Sequence, residues 1–421
     1  MPDQPRGDFG KPGPVIVFDV SRLLSRARRG TPTGIDRVEL AYAEHLIASD
    51  LPLRFAATTP WGGLGILPRP VAEAYVVALA AMWRGAAQTS THRRQVRRLA
   101  RQLPFEPLRP RLPALHAPAP AADRPVYLLV SHHHLERRRL IARLKRRSGA
   151  SFVCLIHDLI PMEFPEYARP GQDLRHRRRI ETAAALADAI IVGSAATGDA
   201  LQPHLDRGGR APPVLVAPFG IDLPQAPLDG PPMPGSPYFV CIGTIEPRKN
   251  HLLLLNLWRQ LAAERGALAP RLVLIGQRGW ETGSAIDMLD RCPALRGLVI
   301  ERNHLADSEM TRLLIGARAL LLPSFAEGFG FPMIEALGLG VPVLCSDLAA
   351  LRENGGEVAE YLDPLDARGW REAILNYQLD DSPRRQRQLA RLDGWTATGW
   401  ADHFAAVDGL IAQIAAEAGT R

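Results

Sequence analysis

"ALLLPSFAEGFGFPMIEALGLGVPVLCS", residues 319–346, carries the alternation that sets the fold of the whole chain. ALLLPS (319–324) is apolar at successive positions up to a Pro-Ser stop, the pattern of a strand covered on both faces. A loop containing Gly328 and Gly330 follows, and then Pro332, well suited to the first position of a helix. VPVLCS (341–346) is the next buried-strand pattern. Within this apolar unit stand two acids, Glu327 before the Gly-Phe-Gly turn and Glu335 eight residues on. A carboxylate accepts hydrogen bonds from vicinal hydroxyls, which suits it to a sugar or a ribose. Gly328 and Gly330 let backbone N–H groups come close to a ligand, and a helix start favours negative charge there. Complementing the helix dipole would account for Glu335, but not for Glu327 and the glycines.

The same alternation extends both ways. VIVFDV (15–20), VYLLV (126–130), SFVCLIHD (151–158), DAIIVGS (188–194) and PVLVAPFG (213–220) read as strands of one unit. YFVCIGTI (238–245), RLVLIG (271–276) and LVIE (298–301) join ALLLPS and VPVLCS in a second. Strands alternating with helical stretches predict doubly wound α/β layers with parallel sheets. The Pro- and Gly-rich APLDGPPMPGSP (226–237) reads as a linker. The expected organisation is a disordered tail (1–14), an acceptor-binding Rossmann-like domain (15–222), a linker (223–236), a donor-binding Rossmann-like domain (237–395) and a C-terminal helix (396–421). A cleft between two such domains is the default site.

In IGTIEPRKNHLLLL (242–255) a strand ends near Thr244 and a helix begins near Asn250, which puts Arg248 and Lys249 in the connection. Ligands of open α/β sheets bind beyond the carboxyl ends of strands. Cations at a helix start oppose its dipole, so an anionic ligand gives them a reason to be there. Paired cations suit a diphosphate, which they bind and whose charge they neutralise as it leaves. Lysine is scarce in this chain, occurring only as Lys11, Lys145 and Lys249.

The net charge of +7 is unevenly divided: residues 1–220 hold 32 Lys+Arg against 19 Asp+Glu. The excess is densest in 83–112 and 135–148, which suggests an anionic partner or solvated helix faces. The four cysteines are far apart and fit neither a disulfide framework nor a zinc site, which points to a cytoplasmic setting. No leader-like N-terminus and no apolar run of about 20 residues is evident. SHHHLERRR (131–139) does not make a metal cluster, since consecutive side chains diverge on any regular element.

EGFGFPMIEALGLGVPVL resembles the E-x7-E motif of retaining glycosyltransferases of family 4, which have the GT-B fold of two facing Rossmann-like domains. FVCIGTIEPRKNHLLLL, HLADSEMTRLLIGARALLLPSFAEGFG and LRENGGEVAEYLDPLD are similar, in the same order, to the segments flanking that motif. The resemblance implies a nucleotide-sugar domain in which Arg248 and Lys249 hold the donor diphosphate. It assigns Glu327 to the donor sugar hydroxyls, Glu335 to the ribose, and Gly243 and the amides of Gly328, Phe329 and Gly330 to the phosphate and sugar pocket. VFDVSRLL…GTPTGIDRVELAYAEHL (17–46) and CLIHDLIPMEFPEY (154–167) are similar to the first domain of bacterial polysaccharide mannosyltransferases. Many members carry Gly-Gly where this chain has Thr33-Gly34. On this resemblance Gly34 joins the donor contacts, His157 approaches the donor sugar or acceptor, and Arg37 and Asp158 are further candidates. IVGSAATGDAL (191–201) departs from the family's turn at Gly193 and Ala196, and no contact is carried over from it. A C-terminal helix returning to the first domain is also implied.

These readings converge on a retaining hexosyltransferase, with mannose from GDP-mannose as best donor and a glycan or lipid-linked saccharide as acceptor in surface-glycan assembly. No Asp-x-Asp triplet occurs in the chain, so no metal and no other cofactor is expected. The basic stretches suit peripheral contact with an anionic membrane on its cytoplasmic face. The alternatives are a nucleotide-sugar epimerase or phosphorylase of the same fold, or a non-enzymatic nucleic-acid binder. The last is disfavoured because the basic stretches lack interleaved aromatics, and no nucleic-acid partner is expected.

Overall fold

The computed structural model describes residues 13–59, 62–84, 90–102, 106–107, 124–223, 237–303 and 305–420. Most of the expected tail and all but the first residue of the expected linker lie outside these ranges, as do parts of the basic 83–112 stretch.

Two sheets organise the chain. The first runs in the order β4-β3-β2-β1-β5-β6-β7-β8. Its strands are β1 (Ile16–Asp19), β2 (Leu53–Thr58), β3 (Leu64–Leu67), β4 (Glu106–Pro107), β5 (Val126–Leu129), β6 (Ser151–Ile156), β7 (Ala189–Val192) and β8 (Val214–Val216). Every residue of β1, β5, β6 and β7 is buried, which is why these strands read as uninterrupted apolar runs. The sheet is not parallel throughout, however: β3 is antiparallel to β2, and β4 to β3. The reason is the connection from β2 to β3, closed where the Thr59 N–H donates to the Gly63 carbonyl at 2.8 Å. So short a link cannot make the crossover that a parallel neighbour needs.

The second sheet is parallel in every pairing and runs β11-β10-β9-β12-β13-β14. Its strands are β9 (Tyr238–Ile242), β10 (Arg271–Ile275), β11 (Val299–Arg302), β12 (Leu320–Leu322), β13 (Val343–Ser346) and β14 (Glu360–Leu362). The quoted stretch is β12, the helix Phe331–Gly338 and β13. In each sheet the strand order reverses beside the first strand, between β1 and β5 and between β9 and β12. Ligand sites of open α/β sheets form beyond such reversals.

The C-terminal helix begins at Trp400 and packs on the first domain. His403 closes the join: Nε2 lies 2.8 Å from the Tyr42 hydroxyl, and Nδ1 lies 3.1 Å from the Ala217 and Pro218 carbonyls. Among the described residues no helix is long and apolar enough to cross a membrane.

Candidate active site

β9 ends at Ile242, and Gly243 follows at φ 149°, a conformation that side chains rarely adopt. A Cβ on Gly243 would lie 3.2 Å from Lys249 Cε, so the glycine leaves the lysine stem its path. The expected loop is a 3₁₀ turn, Pro247–Lys249, and Asn250 in the left-handed region (φ 53°) starts the helix His251–Arg265. This turn brings Arg248 and Lys249 against the loop that follows β12.

Glu327 lies between them. Lys249 Nζ donates to Glu327 Oε1 at 2.5 Å, and Arg248 Nη1 donates to Oε2 at 2.9 Å. The Ser324 hydroxyl adds a third hydrogen bond at 2.6 Å. Arg248 also donates to the Ala326 carbonyl (2.6 Å) and to Glu246 (2.8 Å), while its own carbonyl accepts from the Phe325 N–H. Burial alone would push the Glu327 carboxyl up, but Lys249 and Arg248 outweigh it and hold it at about 2. Burial likewise disfavours the Arg248 charge, and Glu327 outweighs it, raising Arg248 above its ordinary value. The cations and the first acid of the motif are therefore one buried ionic unit.

Glu335 has different surroundings. It sits in the second turn of its helix, half-buried, and no hydrogen bond from the described residues reaches its carboxylate. Burial pushes its carboxyl up to about 7, with Arg37 pulling the other way and Asp307 and Asp222 adding to the rise. With Arg37, Asp222, Asp307, Phe331 and Trp400 it lines a narrow cleft between the domains. The two glutamates do not line it together: the helix turns Glu335 into the cleft while the cations draw Glu327 inward.

The first domain supplies the opposite wall. His157 directly follows β6, and its Nε2 lies 2.8 Å from the Val130 carbonyl. Burial drives its pKa down to about 4, so the imidazole is neutral and Nε2 carries the proton as donor. A Cβ on Gly328 would lie 2.7 Å from the His157 carbonyl, so this glycine permits close approach of two backbones. Asp158 Oδ1 accepts from the Ile160 N–H at 3.2 Å, opening a short helix, so its visible role is to shape the loop. Gly34 begins the helix Gly34–Ala48, and a Cβ there would lie 3.2 Å from the Phe331 ring. Arg37 reaches across to Asp307 with two bonds, at 2.7 and 3.0 Å. Phe329, whose amide was expected in the pocket, has its side chain buried away from the cleft and gives its carbonyl to Asn354. Of the histidine run, His132 accepts from the His157 N–H and His134 meets the Tyr127 hydroxyl.

Three contacts were missed in the sequence. Ser194, set aside there, donates to the Gly328 carbonyl at 3.0 Å. Glu353 accepts from the N–H groups of Ala195 (2.7 Å) and Ala196 (3.2 Å), so an acid of the second domain caps a helix of the first. Tyr167 stacks on Phe325, with centroids 5.2 Å apart. Only the Ser-Ala-Ala-Thr helix start gave any signal for these, because the partners are more than 130 residues away.

Across both domains the architecture is that of GT-B glycosyltransferases. Sucrose-phosphate synthase from Thermosynechococcus elongatus superposes with a TM-score of 0.61 at 16% identity, over 96% of this chain and 100% of that one. Anabaena HepE, solved in complex with UDP-glucose, gives 0.54 at 15% identity, over 96% and 98%. Residues 236–380, which carry Gly243, Arg248, Lys249, Glu327 and Glu335, match the family Glycosyl transferases group 1. Two Escherichia coli proteins are similar in sequence. Serotype-specific mannosyltransferase WbdA is 28% identical over 261 residues, 57% of this chain and 32% of that protein. O-antigen chain mannosyltransferase B is 37% identical over 147 residues, 35% of this chain and 38% of its own length. The chain thus spans about a third of the length of these curated relatives.

Removing one partner from a buried ionic unit leaves the other charge uncompensated, at a cost of about 3–5 kcal/mol. Lys249→Ala is expected to lower unfolding stability by roughly 3 kcal/mol, and Lys249→Ala with Glu327→Ala by less than the sum of the two single changes. Urea unfolding of the four proteins measures this, and strictly additive losses would contradict the pairing.

Proposed function

We propose that the protein is a retaining glycosyltransferase that moves a hexose from a nucleotide diphosphate sugar, mannose from GDP-mannose, to a lipid-linked or polysaccharide acceptor in surface-glycan assembly. The observation that carries this reading is the Arg248–Lys249–Glu327 unit at the carboxyl end of β9, in the stretch that matches the glycosyltransferase group 1 family. The similarity to two mannosyltransferases supports mannose as the sugar.

On this reading an incoming diphosphate competes with Glu327 for the two cations. It replaces one carboxylate with a larger anion, and Glu327, held ionised, becomes an acceptor for donor sugar hydroxyls. The bond between the sugar C1 and the phosphate oxygen breaks as charge grows on the diphosphate, and Arg248 and Lys249 stabilise that charge. The acceptor hydroxyl attacks C1 from the face the diphosphate leaves, and its proton passes to the departing phosphate oxygen. Glu335 accepts from the ribose hydroxyls, with Gly34 and Arg37 across the cleft. Gly243 and the backbone amides of Gly328, Phe329 and Gly330 lie along the phosphate and sugar path. His157, neutral with Nε2–H committed to Val130, presents Nδ1 towards the sugar or acceptor, beside Asp158. Neither a protein nucleophile nor a metal is needed, because the cations supply the electrostatic stabilisation.

The acceptor's lipid would bring the enzyme to the cytoplasmic face of a membrane. The helices Arg138–Ser148 and Gln172–Leu186 pack against each other and expose Arg138, Arg139, Arg143, Arg146, Arg147 and Arg178. Each such cation near an anionic surface contributes about 1 kcal/mol.

Thermal shift against GDP-, UDP- and dTDP-sugars tests the donor: GDP-mannose at about 100 times its Kd should stabilise the protein by about 2.7 kcal/mol. Lys249→Ala should remove that shift and nearly abolish transfer, and a UDP-sugar responding in place of GDP-mannose would overturn the donor assignment. A Glu335 carboxyl near 7 also sets a pH dependence. The carboxylate is the better ribose acceptor, so GDP-mannose affinity should rise from pH 6 to pH 8 in the wild type and stay flat in Glu335→Gln; parallel profiles by calorimetry would remove Glu335 from the site. Vesicles containing phosphatidylserine should co-sediment the protein at low salt and release it at high salt. Absence of binding at low salt would refute the membrane contact.

A further inference from the structure

Phe219 lies just past β8, where the chain leaves the first domain, and its side chain is buried at 1% exposure. It touches both halves of the candidate site. Its ring centroid is 4.8 Å from Phe329, edge to face, and 5.6 Å from Phe331, stacked at 12°. These two residues flank Gly330, at φ 91°, the pivot between the Glu327 loop and the helix that carries Glu335. On its other side the ring lies 5.9 Å from the His157 imidazole. One side chain of the first domain thus packs against the E-x7-E turn of the second and against the residue that follows β6.

The segment that carries the ring is held in turn by hydrogen bonds from both sides. The Ala217 N–H donates to the Val192 carbonyl at 2.9 Å, and His403 of the C-terminal helix meets the Ala217 and Pro218 carbonyls. Gly193 explains itself here: a Cβ at that position would lie 2.3 Å from Phe219 Cε2, on the ring itself. The departure from the family's turn at Gly193 is therefore the space the ring occupies.

We propose that Phe219 is a positioning residue, which sets the Glu327–Glu335 turn and His157 at a fixed separation and ties both to the C-terminal helix. It reaches no reacting atom and acts through the residues it touches. The proposal rests on the glycosyltransferase reading only for its kinetic consequence. Displacing catalytic groups by about 1 Å costs on the order of 100-fold in rate, whereas a purely structural aromatic costs stability alone.

The test compares Phe219→Leu, Phe219→Met and Gly193→Ala with Phe55→Leu, an equally buried ring of β2 in the same core that is not in contact with the turn. Two readouts are taken: hydrogen exchange of the 325–335 amides, and GDP release from GDP-mannose with methyl α-mannoside as acceptor. The three site variants should exchange 325–335 at least about 10-fold faster, while Phe55→Leu leaves that segment protected whatever its melting temperature. In the kinetic arm kcat should fall about 30-fold or more with the donor KM within about 3-fold. Unchanged exchange in the Phe219 variants, the same response from Phe55→Leu, or a kcat within about 3-fold of wild type would overturn the inference. A wild type that releases no GDP would count against the proposed function, and the exchange arm would still decide the role of Phe219.

Discussion

One carboxylate shared by two cations governs the second domain. Glu327 accepts from Lys249 and Arg248 in a place where an isolated charge of either sign would be prohibitively costly. The turn after β9 and the loop after β12 come from strands that are neighbours in the sheet but about 80 residues apart in sequence. The ionic unit closes the gap between them. Arg248 adds the Ala326 carbonyl and the Phe325 N–H, so the loop is fixed at three successive residues. The same electrostatics make the unit a receptor: only a group with more negative charge than one carboxylate displaces Glu327 at a gain, and a diphosphate is such a group.

The first domain meets this loop along its length. Tyr167 lies on Phe325, Ser194 bonds Gly328, and Phe219 packs on Phe329 and Phe331, while Arg37 and Glu353 fix the flanks. Tyr167, Ser194 and Phe219 thus hold the motif loop from the first domain without being placed at the ligand themselves. The C-terminal helix extends the series, since His403 and Trp400 back the segment from which Phe219 projects.

How much of this was legible in the sequence follows from the range of the interactions. Fully buried strands such as β1, β5 to β7 and β9 announce themselves as apolar runs, and the expected positions of β1 and of β5 to β13 match the strands found. The LRFAAT of β2, interrupted by Arg54 and paired in a hairpin with β3, gives only a short apolar run, and with it the antiparallel edge went unread. Gly328 and Arg248 could be picked out because close approach and charge leave marks on residue type. That Glu327 is a counter-ion and Glu335 a near-neutral acid beside Arg37 could not, because both depend on what the fold brings alongside. Ser194 and Phe219 were hidden for the same reason, and the unusual Gly193 was a signal whose cause lay 26 residues further on.

Where the two cations go when donor is present is the most direct test of their role. A crystal structure with GDP-mannose bound should show the diphosphate within hydrogen-bond distance of Lys249 Nζ and the Arg248 guanidinium, Glu327 turned from them onto the sugar hydroxyls, and Glu335 on the ribose. Nucleotide bound elsewhere, with Glu327 still held by both cations, would contradict it.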